Sequence, residues 1–504
     1  MGALKRVSVA FLLAAAPAMA QLNESTTVEV VQVPVYVTAH GTAVSSLTRD
    51  NFRLFVNGKP QAIDYFDTLD FASLPGGPSA DPHQRRLYML LFDLTFSPAP
   101  ALQHAQKAAV SMIESAAPSD TFGIATLDPD GGARIIMPFS RDRVALLRAI
   151  RSLRPSQMPD PLHLALTTAE RQGMTPGGLS VLASADLGAM ESFDSDLLRD
   201  AIENAIGDLA DLGARLAPIE GIKHIVLLST GFDSSAMFGR GRGPDPTAIE
   251  FRQRQLAFSN ALIDAVQKMH RTFAAASVFL DALDIAGLRP MQSLGDDDAL
   301  YAMVEDTGGE VIDRGNDLGR ALRSLAHDQS VVYVLSFNAN QTGRERNGIS
   351  VDLVDAPRGS HAYYRRSYAS HSDPPDLGDP LLLADVVMND IPQTGVTTTA
   401  RVVTAPGKAT VEVECAAGEL VPLAGGMTLV GKVLLYVFSG SQAVAFREKE
   451  ISIEPRAMQA LAKNPVRFAE TFDLPPGPYA AKVLVRFGLD RSNGFAHADF
   501  TVPR

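Results

Sequence analysis

Three oxygen-bearing side chains occur at alternate positions directly after an apolar run. Asp93, Thr95 and Ser97 follow the first six residues of the stretch LYMLLFDLTFSPAP. Carboxylate and hydroxyl oxygens are the hard ligands that Mg²⁺ prefers, and Mg²⁺ keeps waters and can leave a position for a partner's carboxylate. One interpretation is therefore a Mg²⁺ site. In the alternative, the two hydroxyls cap the following helix and its loop while Asp93 accepts backbone N–H bonds.

The alternation of strands and helices over residues 85–328 decides where this triplet lies. Runs such as LYMLLFD and HIVLLS are almost entirely apolar, which is typical of central strands covered on both faces. Amphipathic helical segments separate them, one of them with Ser140 as its expected N-cap. The pattern predicts an α/β fold with a doubly wound, mainly parallel sheet. Such sheets bind ligands at the carboxyl ends of their strands, where the triplet falls.

Two β segments flank this α/β unit. Residues 25–70 contain a period-2 strand, VEVVQVPVYVTAH, and a hairpin signal at Asn57-Gly58. Residues 331–368 are again strand-like, and a β element as short as 25–70 is marginal alone. We therefore expect the two segments to form one small β sandwich into which the α/β unit is inserted.

The C-terminal part of the chain follows a polar, Pro-rich linker at 369–380. Residues 381–504 contain only strand-like pieces separated by regular turns, which predicts a separate, immunoglobulin-like β-sandwich. Cys415 is the one cysteine of the chain and lies in a strand-like context, so we expect a buried structural thiol. A single cysteine excludes an intramolecular disulfide framework and Cys-based zinc or iron–sulfur sites.

The first 20 residues have the pattern of a secretory signal peptide. Lys5 and Arg6 precede an apolar run over 7–16, and Ala-Met-Ala at 18–20 offers a small-x-small cleavage site before Gln21. The run is too short to span a bilayer, and no later stretch has about 18 apolar residues. The sequence therefore predicts a secreted or periplasmic protein without a transmembrane segment.

Charge and motif content restrict the function classes. A net charge of -12 disfavours nucleic acid as a partner, because phosphate binding needs a basic face. Neither an H-E-x-x-H nor a G-x-S-x-G motif occurs, so the sequence offers no catalytic residue. We expect a non-enzyme. A hydrolase remains as an alternative, since a catalytic set can assemble only in space.

Several stretches together resemble the VWFA-related family of secreted bacterial proteins, which contain a von Willebrand factor type A domain. The resemblance covers about residues 25–370 in the family's order. The stretches that carry it are VVQVPVYVTAHGTAVSSLTRDNFRLFVNGKPQAIDYF, LLFDLTFS, GIKHIVLLSTGFD, VEDTGGEVID, VVYVLSF and YYRRSY.

The resemblance implies a candidate metal-ion-dependent adhesion site. The family's Asp-x-Ser-x-Ser element matches Asp93, Thr95 and Ser97. Thr230 stands where the family has a closing Asp, and Asp233, three residues later, is the candidate substitute. No motif supports a position for the family's middle Thr; Ser156 lies in a plausible loop.

The implied function is a secreted, non-enzymatic protein-binding or adhesion protein, with Mg²⁺ as its candidate cofactor and a protein as its partner. A metal-independent envelope scaffold is the second hypothesis, and the hydrolase is the third.

Overall fold

The computed structural model describes most of the chain. The described residues are 29–74, 81–128, 132–153, 187–232, 249–286, 296–312, 315, 317–339, 347–369, 379–420, 428–461, 464–488 and 493–504. The predicted signal peptide lies outside them, as does most of the 369–380 linker. Within these ranges no helix is both long and apolar enough to cross a membrane.

A six-stranded sheet forms the centre of the α/β unit. Its strands, in spatial order, are β11 (Val311–Ile312), β10 (Val278–Asp284), β9 (Ile222–Ser229), β6 (Arg86–Asp93), β7 (Thr121–Asp128) and β8 (Gly132–Ser140). Neighbouring strands are parallel except β7 and β8, which are antiparallel. β6 and β9 are buried along their whole length, as the apolar runs predict for strands covered on both faces.

Helices cover both faces of the central sheet. One face carries α1 (Ala99–Ser115), α2 (Arg143–Ser152) and α6 (Leu318–Asp328). The other carries α3 (Leu187–Arg215), α4 (Ile249–Ala276) and α5 (Asp296–Val304). Side chains of β6 alternate between the two cores, with Leu90 in the first and Met89 in the second. The unit is therefore a mixed α/β fold with a mainly parallel sheet.

The two flanking segments pair with each other in two small sheets. The first contains β14 (Ser360–Tyr364), β1 (Glu29–Ala39), β12 (Val331–Ala339) and β5 (Tyr65–Asp70), with β2 (Thr42–Ala43) on β1. The second contains β15 (Ser367–Tyr368), β13 (Asn347–Leu353), β3 (Phe52–Val56) and β4 (Lys59–Gln61). Their inner faces share one apolar core. Asn57 and Gly58 turn between β3 and β4 with positive φ, which confirms the predicted hairpin.

This small sandwich lies at the amino end of the central sheet. The outer faces of β1 and β12 place Tyr36 and Val332 against Ile222, at the start of β9, and Phe279, near the start of β10. Asp93 lies at the opposite, carboxyl end of β6.

The C-terminal segment forms two more antiparallel sheets around a common core. One contains β16 (Thr398–Ala405), β17 (Lys408–Cys415) and β20 (Val466–Asp473), and the other contains β19 (Gln442–Ile453), β18 (Leu429–Ser439), β21 (Gly477–Phe487) and β22 (Asn493–Val502). Cys415 is buried in this core, as expected. An immunoglobulin-like kinship stays a prediction.

The expectation that residues 381–504 contain only strands is wrong. The described part of this segment contains two α-helices, α7 (Pro380–Asn389) and α8 (Pro455–Leu461). The Asp379 side chain caps α7 by accepting the N–H groups of Leu381 and Leu382. Leu381 and Val386 join the core of the α/β unit, while Lys482 of β21 donates to the Val387 carbonyl. Because α7 packs between two units, its apolar run shows no one-sided helical period.

Ser140 is not the N-cap that the sequence predicts. α2 begins after Asp142, whose carboxylate accepts the Ala145 N–H at 3.0 Å. Ser140 ends β8 instead, and its hydroxyl accepts the Asp142 N–H at 3.1 Å. Both residue types suit the cap position, so composition alone does not separate them.

Candidate functional site

Polar residues end three neighbouring strands at the carboxyl edge of the central sheet. Asp93 ends β6, Ser229 ends β9 and Asp284 ends β10. Phe92 is in register with Leu228, and Ser229 with Asp284, so these ends lie side by side. The apolar runs before these ends favour this placement, because a polar side chain inside them needs a buried partner, as Lys223, His224 and Asp281 have.

Asp93 is 1% exposed and accepts four hydrogen bonds. Its Oδ1 accepts the backbone N–H groups of Thr95 at 2.8 Å and Phe96 at 3.1 Å. Its Oδ2 accepts the hydroxyls of Ser229 at 2.5 Å and Ser97 at 3.4 Å. A carboxylate offers about four lone-pair sites. Donors of the chain itself therefore take up the acceptor capacity of Asp93.

The protonation balance of Asp93 is set mainly by burial. Burial raises the pKa of this carboxyl above its ordinary value, and hydrogen bonds from Ser229, Phe96, Thr95 and Ser97 oppose the rise only in part. A dication beside the carboxylate would act in the opposite direction, because it stabilises the charged form.

The hydroxyls of the triplet are engaged within the edge itself. The Ser97 Oγ accepts the Thr230 N–H at 3.1 Å, in addition to its bond with Asp93. The Thr230 hydroxyl donates to the Phe96 carbonyl at 3.0 Å. The Thr95 hydroxyl donates to a carbonyl of β7 at 3.4 Å. These bonds fasten the loop after β6 to the ends of β7 and β9.

The hydrogen bonds that the alternative interpretation predicts are present at the carboxylate and absent at the described helix cap. Asp93 accepts backbone N–H bonds, as that alternative predicts. However, α1 begins at Ala99 with Pro98 as its N-cap and no side-chain capping bond. The hydroxyls of Thr95 and Ser97 therefore brace the loop and do not cap the helix.

The described donor set does not fit a directly coordinated cation. Among the described residues that donate hydrogen bonds to Asp93, none adds a second carboxylate, and the acceptor sites of Asp93 are occupied. Thr230 supplies a hydroxyl where the type A pattern needs a charged group, and few charges mean weak attraction for a dication. Over the described ranges, no group of three or more His, Cys, Asp or Glu side chains could hold a metal. Asp233 and Ser156 lie outside those ranges.

Ser229 is the cluster member that sequence reasoning missed. Its hydroxyl donates to Asp93 at 2.5 Å and accepts the Gly231 N–H at 2.9 Å. A serine ending HIVLLS has no motif of its own. Its position as the first polar residue after a central strand, beside the strand of Asp93, is the available signal.

A second buried polar cluster joins the small sandwich to the α/β unit. The Tyr36 hydroxyl lies 2.7 Å from Nε2 of His224, and Nδ1 of His224 lies 2.8 Å from a carboxylate oxygen of Asp281. Gln329 donates to Asp281 at 3.2 Å. The hydroxyl–imidazole–carboxylate order resembles a catalytic relay, but Tyr36 is 1% exposed and His224 and Asp281 are fully buried. The cluster ties β1 of the small sandwich to β9 and β10 of the central sheet through buried hydrogen bonds.

Comparison with known proteins gives structural similarity only. No family model matches the chain, and no curated protein matches it in sequence.

Three solved structures are examples of this similarity. A von Willebrand factor type A protein from Catenulispora acidiphila is 10% identical, with 93% of this chain and 74% of that chain covered and a TM-score of 0.27. An aerotolerance-related membrane protein from Bacteroides fragilis is 12% identical over 48% of this chain and 98% of that chain, with a TM-score of 0.26. Proximal thread matrix protein 1 from the mussel byssus, described with a zinc-occupied MIDAS motif, is 10% identical over 49% and 48%, with a TM-score of 0.23. Scores this low carry no argument about the function of this chain.

Proposed function

We propose that this chain is a non-enzymatic protein-binding module whose α/β unit contacts a partner protein at the carboxyl edge of its central sheet, without a divalent cation. The observation that carries the proposal is the closed cluster around Asp93. Four donors of the chain saturate the carboxylate that a cation-dependent contact would need. The resemblance of the sequence to type A domains supplies the protein-binding class.

The contact surface is the loop between β6 and α1. Leu94, Thr95 and Phe96 each keep part of their surface exposed there. Phe96 also packs against Phe232 with ring centroids 5.6 Å apart, which adds an apolar contact to the hydrogen bonds that brace the loop. A braced loop with partly exposed apolar side chains loses little entropy on binding, which favours a protein contact.

The composition of the Asp93 cluster supports a non-enzymatic role. Its hydrogen-bonded members are hydroxyls and backbone amides, and none of them exchanges protons readily near neutral pH. A general base must lie within hydrogen-bond reach of the proton that it removes, and the carboxylate of Asp93 is buried and occupied by donors of the chain. The signal-peptide pattern adds to the proposal that the module works outside the cytoplasm, as an exported binding protein or envelope scaffold.

A pull-down with purified mature protein tests the binding edge. Thr95→Arg places a bulky charge on the edge, and Thr399→Arg does the same on an exposed residue of β16. We expect Thr95→Arg to lose the partner recovered by the unchanged protein and Thr399→Arg to keep it, both with and without EDTA. Loss of the partner on adding EDTA would refute metal independence, and equal recovery by Thr95→Arg would refute the edge as the contact.

A further inference from the structure

A crevice of about 480 Å³ separates the α/β unit from the C-terminal sandwich. One wall is formed by the end of β8 and the start of α2, and the other by α7, the β18–β19 turn and β21. Its lining residues include Ser140, Arg141, Asn389, Phe438, Ser441 and Lys482. This volume is within the range of small-molecule sites, which often lie between domains.

Arg141 is the arginine that lines this crevice. It lies between the last residue of β8 and the N-cap of α2 and is half-buried. Across the described residues, its guanidinium makes no hydrogen bond or ion pair. Burial lowers the pKa of Arg141, and the nearby carboxylate of Asp390 offsets this only in part. A guanidinium that is partly removed from water and has no fixed partner gains from an added anion.

The neighbouring charges are already paired within the protein. Lys482 lies 2.9 Å from Asp390 and donates to the Val387 carbonyl. Asp385 holds both terminal nitrogens of Arg85, at 2.9 and 2.8 Å. The carboxylate of Asp142, which also lines the crevice, accepts the Ala145 N–H at 3.0 Å. Among the described residues, none of these carboxylates forms an ion pair with the guanidinium of Arg141.

The wall of α7 adds an acceptor that lacks a donor. Asn389 is 3% exposed and lines the crevice. Its Nδ2 donates to the Phe139 carbonyl and to Asp385, both at 2.9 Å. Its Oδ1 is buried and has no hydrogen-bond partner among the described residues. Such orphaned acceptors are rare in folded proteins and call for a partner.

We propose that this crevice binds a small molecule whose carboxylate or phosphate group pairs with the guanidinium of Arg141. Guanidinium presents a planar fork of N–H donors that matches either oxyanion with two parallel bonds. A hydrogen-bond donor next to the oxyanion would face Asn389. The site is separate from the protein-binding edge, so the two proposals fail independently.

Calorimetric titration of the mature protein with inorganic phosphate and with succinate, at constant ionic strength, tests the site. We expect saturable binding of at least one probe in the millimolar range or tighter. Arg141→Ala should weaken it roughly 10- to 100-fold, because a hydrogen-bonded charge pair is lost. Arg141→Lys keeps the charge without the fork, so we expect an intermediate loss.

The matched control is Arg401→Ala, which removes an exposed arginine from β16. It should bind both probes like the unchanged protein. Preference for one probe identifies the oxyanion as phosphate or carboxylate. Absence of saturable heat with both probes would overturn the proposal. The proposal would also be overturned if Arg141→Ala bound the probes with the affinity of the unchanged protein. If the alanine variant does not fold, the same result with Arg141→Lys would overturn it.

Discussion

Ser229→Ala should destabilise the α/β unit far more than an ordinary serine substitution. The change removes the hydroxyl that donates to Asp93 at 2.5 Å and accepts the Gly231 N–H at 2.9 Å. Two buried groups then lose a partner, one of them a carboxylate. A hydrogen bond to a charged group contributes about 1.5–3 kcal/mol and a neutral one about 1 kcal/mol. We therefore expect a loss of about 2–4 kcal/mol in the free energy of unfolding.

Urea unfolding followed by far-ultraviolet circular dichroism measures this loss, since the chain contains no tryptophan. Units of this chain can unfold in separate steps, so the transition of the α/β unit is the one to compare. Ser119→Ala is the matched control. It removes one neutral hydrogen bond, from the Ser119 hydroxyl to the Phe71 carbonyl at 3.1 Å, and should cost about 1 kcal/mol.

Ser229→Ala should also change how the free energy of unfolding depends on pH. Because the pKa of Asp93 is raised by burial, the folded chain keeps this proton to higher pH than the unfolded chain. The stabilisation that this proton gives to the folded chain is fully present below the ordinary aspartate pKa. It is lost as the pH rises through the pKa of Asp93 in the folded chain. Ser229→Ala removes a bond that lowers this pKa, so the loss should extend to higher pH. A cost equal to that of Ser119→Ala, with an unchanged pH profile, would refute the described role of Ser229.

Three further changes have expected directions. Asp385→Ala leaves the buried guanidinium of Arg85 unpaired and should cost about 3–5 kcal/mol in urea unfolding. Burial lowers the pKa of Lys223 to about 7, with Arg365 among the lesser causes, and its amine donates to three backbone carbonyls. As the pH rises, the folded chain releases this proton at a lower pH than the unfolded chain does. The free energy of unfolding should therefore rise by about 1.4 kcal/mol per pH unit above neutral. Lys223→Met should abolish that rise. Gly58→Val forces a branched side chain to a φ near 75° and should cost about 1–3 kcal/mol by the same assay.

Each of these has a contradicting result. A loss below about 1 kcal/mol for Asp385→Ala would show that Arg85 finds another partner. An unchanged pH slope in Lys223→Met would assign the slope to other groups. An unchanged midpoint for Gly58→Val would show that the β3–β4 turn adopts another conformation.

Local patterns in the sequence specify the strands and helices of the α/β unit well. The apolar runs over residues 87–92 of β6 and 225–228 of β9 lack the alternating polar positions of a strand with one exposed face, so they predict central strands. Asn57-Gly58 predicts a two-residue hairpin because both residues tolerate positive φ. The same logic places Asp93, Thr95 and Ser97 at the carboxyl edge.

The remaining features depend on contacts between distant parts of the chain. Arg85 and Asp385 are separated by 300 residues, and no local period encodes their pairing. The sequence pattern does not predict α7, because two units bury this helix from both sides. The role of Ser229 is equally non-local, since it follows from the adjacency of β6 and β9. Local signals therefore predict the strands and helices and the position of the triplet at the carboxyl edge of the central sheet. The hydrogen bonds that occupy Asp93 depend on contacts between distant residues and follow only from the packed structure.

The most direct test of metal independence is calorimetric titration of Mg²⁺ and of Mn²⁺ into the mature protein, with Asp93→Ala in parallel. A carboxylate saturated by the chain's own donors should bind neither ion, so we expect no saturable heat with either protein. Saturable heat in the unchanged protein that disappears in Asp93→Ala would contradict the proposal and establish a cation-dependent edge.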